Sequence, residues 1–370
     1  HNPQEFAGQG VAPPKPLKKE QEPTPTKEVK KPSRAKKVAV DDFTKMSPLC
    51  APDDSYKRQQ HVLTTACGSI WKCVNTETLQ AVIVKSYFTK TLSMGQDVLR
   101  EITYHNRVRG FPLALDLQRI VVKSEPPEEV RLLLEYHKKT LDDTNKLPIE
   151  EVQLLAFQLL CASRCFSRMG FVHRDWRPDA VYVSEDGIVK VGDFRAAHVV
   201  DDMWAARWYD VDYRPPEILL GHEPYDARAD IWAIGLIIYY LVTGRDFFDE
   251  IRSVGLLQDM CAQFGPITEQ TWPGLKECRN YDMYREVLET AQKCTSGSKK
   301  ATAKKKAADT SSARLEKVAK NGNSADHAVL AELLKTMLVL HPARRPSADQ
   351  ALQHPFFASI HMSFADQKQL

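Results

Sequence analysis

The feature that most constrains this chain is a change of hydrophobic period partway along it. From about Tyr56 to Tyr87 the pattern is short and strand-like, and TLQAVIVKSYF (residues 78–88) is rich in β-branched residues, with Lys85 ending an apolar run. MGQDVLREITYHNRVRG follows at helical spacing, with Val98, Ile102 and His105 on one face and Glu101 beside it. VRLLLEY (residues 130–136) predicts a buried strand. IEEVQLLAFQLLCASRCFSRM (residues 149–169) predicts a long amphipathic helix carrying Val152, Leu155, Leu159 and Phe166. Beyond it the chain is mostly helical, with two short strand-like pieces at residues 181–183 and 189–191. Strands first and helices afterwards predict an α+β chain of two lobes: a small β-rich N-terminal lobe with one helix, and a larger helical C-terminal lobe.

Composition sets the flanks. Residues 1–40 hold nine Lys/Arg against four Glu, together with Pro and no periodicity, so residues 1–45 are expected to be a disordered basic tail. The N-lobe is expected over 46–137, the C-lobe over 138–360 and a short tail over 361–370. Residues 293–320 hold nine Lys/Arg against two acids, and 293–324 predict a flexible Lys-rich insertion in the helical lobe. Outside these two basic segments 33 basic and 42 acidic residues remain, which argues against a nucleic-acid-binding face on the folded part. No apolar run approaches the roughly 18 residues of a membrane span, and Ile231–Val242 is expected to be a buried helix. The eight cysteines form no metal-type pair of pairs. Buried free thiols are expected, with a Cys261–Cys278 disulfide as the alternative. The first residue is His rather than Met, so any leading signal is expected to have been removed.

Five motifs then occur in one order over about 300 residues. FVHRDWRPDAVYV (Phe171–Val183) resembles the catalytic loop of protein kinases, H-R-D followed by N. Asp193-Phe194-Arg195 stands where that family has D-F-G, and Pro215-Pro216-Glu217 where it has A-P-E. DIWAIG (Asp230–Gly235) resembles the buried helix anchoring the lower lobe, and Arg345 stands where an Arg pairs with the A-P-E Glu, here Glu217. The resemblance implies a phosphate-holding Lys85 paired with Glu101, and a hinge of Leu134, Glu135, Tyr136 and His137 against which a nucleotide would lie. It further implies Asp175 as the carboxylate orienting the attacking hydroxyl, Arg177 in place of the catalytic-loop Lys, and Asp193 as the remaining candidate metal ligand. His173, Arg174, Arg195, Glu217, Asp230 and Arg345 are expected to be structural.

Three parts of that machinery are missing. LTTACG (Leu63–Gly68) keeps only the last glycine of G-x-G-x-x-G, so Leu63 and Thr65 would block a close backbone lid over phosphates. Ala180 replaces the metal-binding Asn, and a methyl group cannot coordinate a hard cation. Arg195 replaces the D-F-G Gly. It could pair with Asp193 or Glu101 in the niche of a metal, or point to solvent on a displaced segment. The segment from Asp193 to Glu217 also holds no Ser or Thr, leaving Tyr209 and Tyr213 as its hydroxyls and Asp201, Asp202 and Asp210 as fixed charge near Arg174.

The absent glycines and basic N-terminus make the chain similar to the With-No-Gly-loop kinases, a divergent group secreted by apicomplexan parasites such as Toxoplasma. That resemblance implies a secreted protein of the parasitophorous vacuole or cyst. The first expectation is accordingly a pseudokinase serving as a binding or scaffold module for unidentified protein partners, with nucleotide binding impaired or absent and no cofactor expected. The alternative is an active atypical Ser/Thr kinase using ATP and Mg²⁺ through a reduced metal site. A third reading makes the basic segments, such as KKATAKKK (Lys299–Lys306), a tether to an anionic membrane or acidic partner, with solvated loops expected in its place.

Overall fold

The computed structural model describes residues 55–65, 68–88, 92–123, 129–199, 211–222, 226–248, 253–296, 312–321 and 324–360. The expected basic tail, the 361–370 tail, Tyr209 and the aspartates at 201, 202 and 210 lie outside these residues.

The N-lobe is an antiparallel sheet of β1 (Tyr56–Thr65), β2 (Gly68–Asn75), β3 (Ala81–Phe88), β4 (Leu117–Lys123) and β5 (Glu129–Glu135), in the spatial order β1-β2-β3-β5-β4. Helix α1 (Leu92–Arg107) supplies the one helix of this lobe. The period of two along β3 decides what the sheet presents to that helix. Ile83 and Tyr87 join Leu132, Leu134 and Ile120 in the cluster packed on Val98 and Ile102 of α1, while Val82 and Val84 join Val121, Leu133 and Cys73 on the opposite face. Lys85 shares the parity of Ile83 and Tyr87, so strand geometry alone aims it at α1.

Gly68 begins β2 because nothing larger fits. A β-carbon there would lie 1.7 Å from the carbonyl oxygen of Ser86 on β3. β1 and β2 are in register up to Thr65 opposite Gly68, so the strands run to the hairpin's tip.

The C-lobe is built on α2 (Ile149–Arg168) and α4 (Arg228–Thr243), with α3 (Pro216–Leu220), α5 (Ser253–Phe264), α6 (Tyr281–Ser296), α7 (Ala313–Asn321), α8 (Ala325–Met337) and α9 (Ala348–Ala351) around them. α4 is apolar on all sides, as a helix enclosed by others must be, with Ile231, Trp232, Ile234, Ile237 and Ile238 in the core. It stops at Gly244, whose φ of 69° is the left-handed conformation that ends a helix. Short strands on either side of α2 frame the loops of the site: β6 (Lys139–Thr140), before it, forms one small sheet with β8 (Val181–Val183) and β9 (Val189–Val191), and β7 (Phe171–Val172) pairs with β10 (His198–Val199). These elements form the bilobal kinase fold.

The structure bears on two expectations. The insertion expected over 293–324 is ordered at both ends: α6 runs to Ser296, and α7 buries Leu315 and Val318 in the C-lobe core at helical spacing. The apolar pair was masked in the sequence by the lysines around it. Cys261 and Cys278 do not form the alternative disulfide; they are buried free thiols, as are Cys73 and Cys161, while Cys165 is a half-buried one. No helix among the described residues is long and apolar enough to cross a membrane.

Candidate active site

Lys85 Nζ donates to Glu101 Oε1 at 2.5 Å and to Asp193 Oδ1 at 3.3 Å. Tyr87, two residues along the same strand face, donates its hydroxyl to the other Glu101 oxygen. Glu101 is wholly buried. Burial alone would push its carboxyl up, but Lys85 and His105 outweigh that and hold it at about 2. Lys85 is raised for the matching reason: burial disfavours its charge, and Asp193 and Glu101 more than restore it.

Asp193 has a left-handed backbone, φ 60° and ψ 61°, one of three such non-glycine residues among those described. That conformation turns its carboxylate into the cluster. There Arg195 grips it in a fork, Nε to Oδ1 at 2.7 Å and Nη2 to Oδ2 at 2.9 Å, while Arg177 Nη2 reaches Oδ2 at 2.8 Å. With Lys85, three cations share one carboxylate. Burial raises Asp193, but Lys85, Arg195 and Arg177 overcome it and hold the group well below the usual carboxylate range. Of the two roles open to Arg195 in the sequence, the structure takes the pairing with Asp193. Arg100, unremarked in the sequence, fixes that turn by donating to the Arg195 carbonyl at 3.0 Å.

Asp175 adjoins the same cluster. Arg177 Nε lies 3.3 Å from its Oδ1, and another nitrogen of Arg177 engages Asp179. Burial dominates here and pushes Asp175 up to about 7, with Arg177 opposing and Asp193 adding repulsion. Two buried carboxylates thus part in opposite directions: Asp193 is a fixed charge and Asp175 titrates near neutrality.

The loop carrying them is anchored from below. Asp230, in the first turn of α4, accepts from the backbone amides of His173 at 2.8 Å and Arg174 at 3.0 Å. Arg174 Nε donates to the Ala196 carbonyl at 2.6 Å, which supports its own left-handed φ of 66°. His173 Nε2 donates to the Gly192 carbonyl at 2.9 Å, which leaves Nδ1 to accept from the Asp175 amide at 3.3 Å. Phe194 is sandwiched between His105 of α1 and His173, ring centroids 4.9 and 5.1 Å away, and so ties the lobes together. Farther off, Arg345 makes a buried fork to Glu217 at 2.6 and 2.5 Å.

The remaining predicted residues lie apart from this cluster. Leu134 is buried in the N-lobe core. Glu135 accepts from the Asp116 amide at 2.9 Å and pairs with His137 at 3.2 Å and Lys190 at 3.3 Å, so its carboxylate and His137 hold the hinge together. Ala180 is buried, its carbonyl accepting from the Gly192 amide.

Mg²⁺ fits poorly here. Both oxygens of Asp193 are taken by cations, and Ala180 offers no side-chain oxygen. Among the described residues no three His, Cys, Asp or Glu converge on a metal site. The charge of a bound phosphate would fall instead to Lys85, Arg177 and Arg195.

The protein kinase domain family matches residues 56–357. The chain is 25% identical over 317 residues to a probable cyclin-dependent serine/threonine-protein kinase of Dictyostelium discoideum, covering 84% of this chain and 46% of that one. It is 26% identical to the CTD kinase subunit alpha of Schizosaccharomyces pombe (83% and 49%) and 27% identical to cyclin-dependent kinase F-4 of rice, Oryza sativa subsp. japonica (82% and 61%). The chain therefore spans between about half and three fifths of these relatives' lengths. The first expectation, a secreted pseudokinase scaffold, is corrected by these findings: the relatives are named as cyclin-dependent and other kinases, which favours the active alternative. The physical reason is visible in the site, where losing the glycine lid and the Asn leaves Lys85, Glu101, Asp175 and Asp193 assembled. The chain belongs to the protein kinase domain family.

Proposed function

We propose that the chain is an atypical Ser/Thr protein kinase that transfers the γ-phosphate of ATP. The observation that carries this reading is the assembled group of Lys85, Glu101 and Asp193 beside Asp175. Lys85 is charged and positioned to hold phosphate oxygens. Asp175, poised near neutrality, can accept the proton of an attacking hydroxyl. Arg177 bridges the two aspartates and would offset charge on the transferring group.

Because relatives are named cyclin-dependent, a protein partner belongs to the proposal. The finer likeness to the secreted With-No-Gly-loop group, with its vacuolar or cyst location, is supported by LTTACG and the basic N-terminus alone.

The test is transfer of labelled phosphate from ATP to a generic Ser/Thr substrate by wild type and Asp175→Asn. General-base loss predicts a fall of about 10²-fold or more. Equal rates, or no transfer above a protein-free control, would sink the reading.

A further inference from the structure

We propose that the cavity between the C-terminal end of α4 and helix α7 binds a compact phosphorylated polyol. The cavity holds about 280 Å³, and five cationic or potentially cationic side chains line it: Lys146, Arg245, Arg314, Lys317 and His327. They come from four separate pieces of chain: the loop before α2, the residue after Gly244, helix α7 and the first turn of α8. No carboxylate is among the described residues lining it.

That imbalance differs from an ordinary solvated charge run. Arg314 is held rigidly, donating to Asp259 at 2.8 Å and to the Phe247 carbonyl. Lys146, Arg245 and Lys317 pair with no carboxylate among the described residues. A concave surface lined by one sign of charge over a low-dielectric wall focuses potential, and Lys146, Arg245 and Lys317 supply cationic side chains of that kind here. The repulsion among these groups is relieved by a multiply charged anion, and phosphate oxygens suit both the guanidinium fork and the lysine point charge.

The remaining lining narrows the choice. Val242, Val318 and the ring of Tyr239 give the cavity an apolar side, and Thr243 adds a hydroxyl. A bare phosphate would leave that side wet, whereas the carbon ring of a phosphorylated polyol would cover it. The volume is at the lower edge of the roughly 300 Å³ typical of small-ligand sites, which fits a single ring and excludes an extended peptide.

The proposal is tested on the full chain by titration calorimetry at matched ionic strength. Inositol trisphosphate serves as the soluble probe, and phosphatidylcholine vesicles doped with phosphatidylinositol bisphosphate as the lipid-borne one. Saturable binding of the soluble probe assigns a free ligand; binding of the vesicles alone assigns a lipid headgroup. Either supports the site only if the double variant Arg245→Glu/Lys317→Glu, which alters exposed residues, weakens binding at least ~10-fold. A second variant with the lysines of Lys299–Lys306 changed to Ala should bind as wild type does. Binding unaffected by the charge reversals, binding lost only in the second variant, or no saturable binding of either probe would each overturn the proposal.

Discussion

Arg195 takes both oxygens of Asp193, through Nε at 2.7 Å and Nη2 at 2.9 Å. A guanidinium fork so placed satisfies the carboxylate that a metal would otherwise claim, and it does so from a position where glycine would leave the carboxylate open. The reduced metal site is therefore a competition between one side chain and one ion.

Arg195→Gly should shift that competition. Lys85 and Arg177 still neutralise Asp193 in the variant, so the loss of stability should be about 1–3 kcal/mol rather than that of an orphaned charge. The variant should also gain a Mg²⁺-dependent rise in melting temperature larger than that of wild type. Thermal melts with Mg²⁺ and with chelator check this; identical Mg²⁺ responses in the two proteins would show that Arg195 does not guard Asp193.

Asp175 gives a pH signature of definite sign. Its folded pKa, about 7, lies above its ordinary value of 3.8, so between these values the folded state binds the extra proton. Stability from this group is present at low pH and falls as pH rises from about 4 to 7, by an amount on the order of a few kcal/mol. Glu101, held at about 2, and His173, lowered by burial, act in the opposite direction, losing stability as pH falls. Urea melts of wild type and Asp175→Asn isolate the one group: the variant's stability relative to wild type should increase from pH 4 to 7. A constant difference would refute the assignment. Phosphotransfer by wild type should meanwhile rise through pH 7 as the carboxylate ionises.

Much of the site was legible because its residues are set by strand parity and by motif order. Lys85, Glu101, Asp175 and Asp193 could be placed together from the resemblance carried by those motifs, and so could the Glu217–Arg345 pair. What could not be read were partners from unrelated stretches. Tyr87 binds Glu101 and Arg100 binds the Arg195 carbonyl, contacts that exist only once α1 is seated on the sheet. The ordered end of the insertion was hidden because Leu315 and Val318 are two apolar residues in a lysine-rich stretch, too few to show a period. Between the two roles of Arg195, sequence had no means to choose; a left-handed Asp193 decided it.

Gly68 tests whether the surviving glycine serves phosphate approach or packing. A β-carbon would meet the Ser86 carbonyl at 1.7 Å, and the backbone of β3 cannot move without carrying Lys85 with it. Gly68→Ala should cost about 3 kcal/mol or more, in the range of an overpacked core. Gly187→Ala meets no atom within 4 Å and should cost only about 1 kcal/mol for its φ of 75°. Chemical denaturation of the pair of variants checks the contrast, and equal costs would remove the packing explanation.

Glu217 and Arg345 are both buried, and their side chains have no exposed surface. Arg345 also donates to the carbonyls of Val339, Leu340 and Arg228, so its donors are spent on fixing three chain segments as well as one carboxylate. Arg345→Met should leave Glu217 as an uncompensated buried charge and cost about 3–5 kcal/mol. Adding Glu217→Gln removes that charge, and the double variant should recover part of the loss while the three carbonyls remain unpaired. A double-mutant cycle by urea denaturation measures the split. Full recovery would show that the ion pair alone holds this end of the lobe, and no recovery that the carbonyl contacts do.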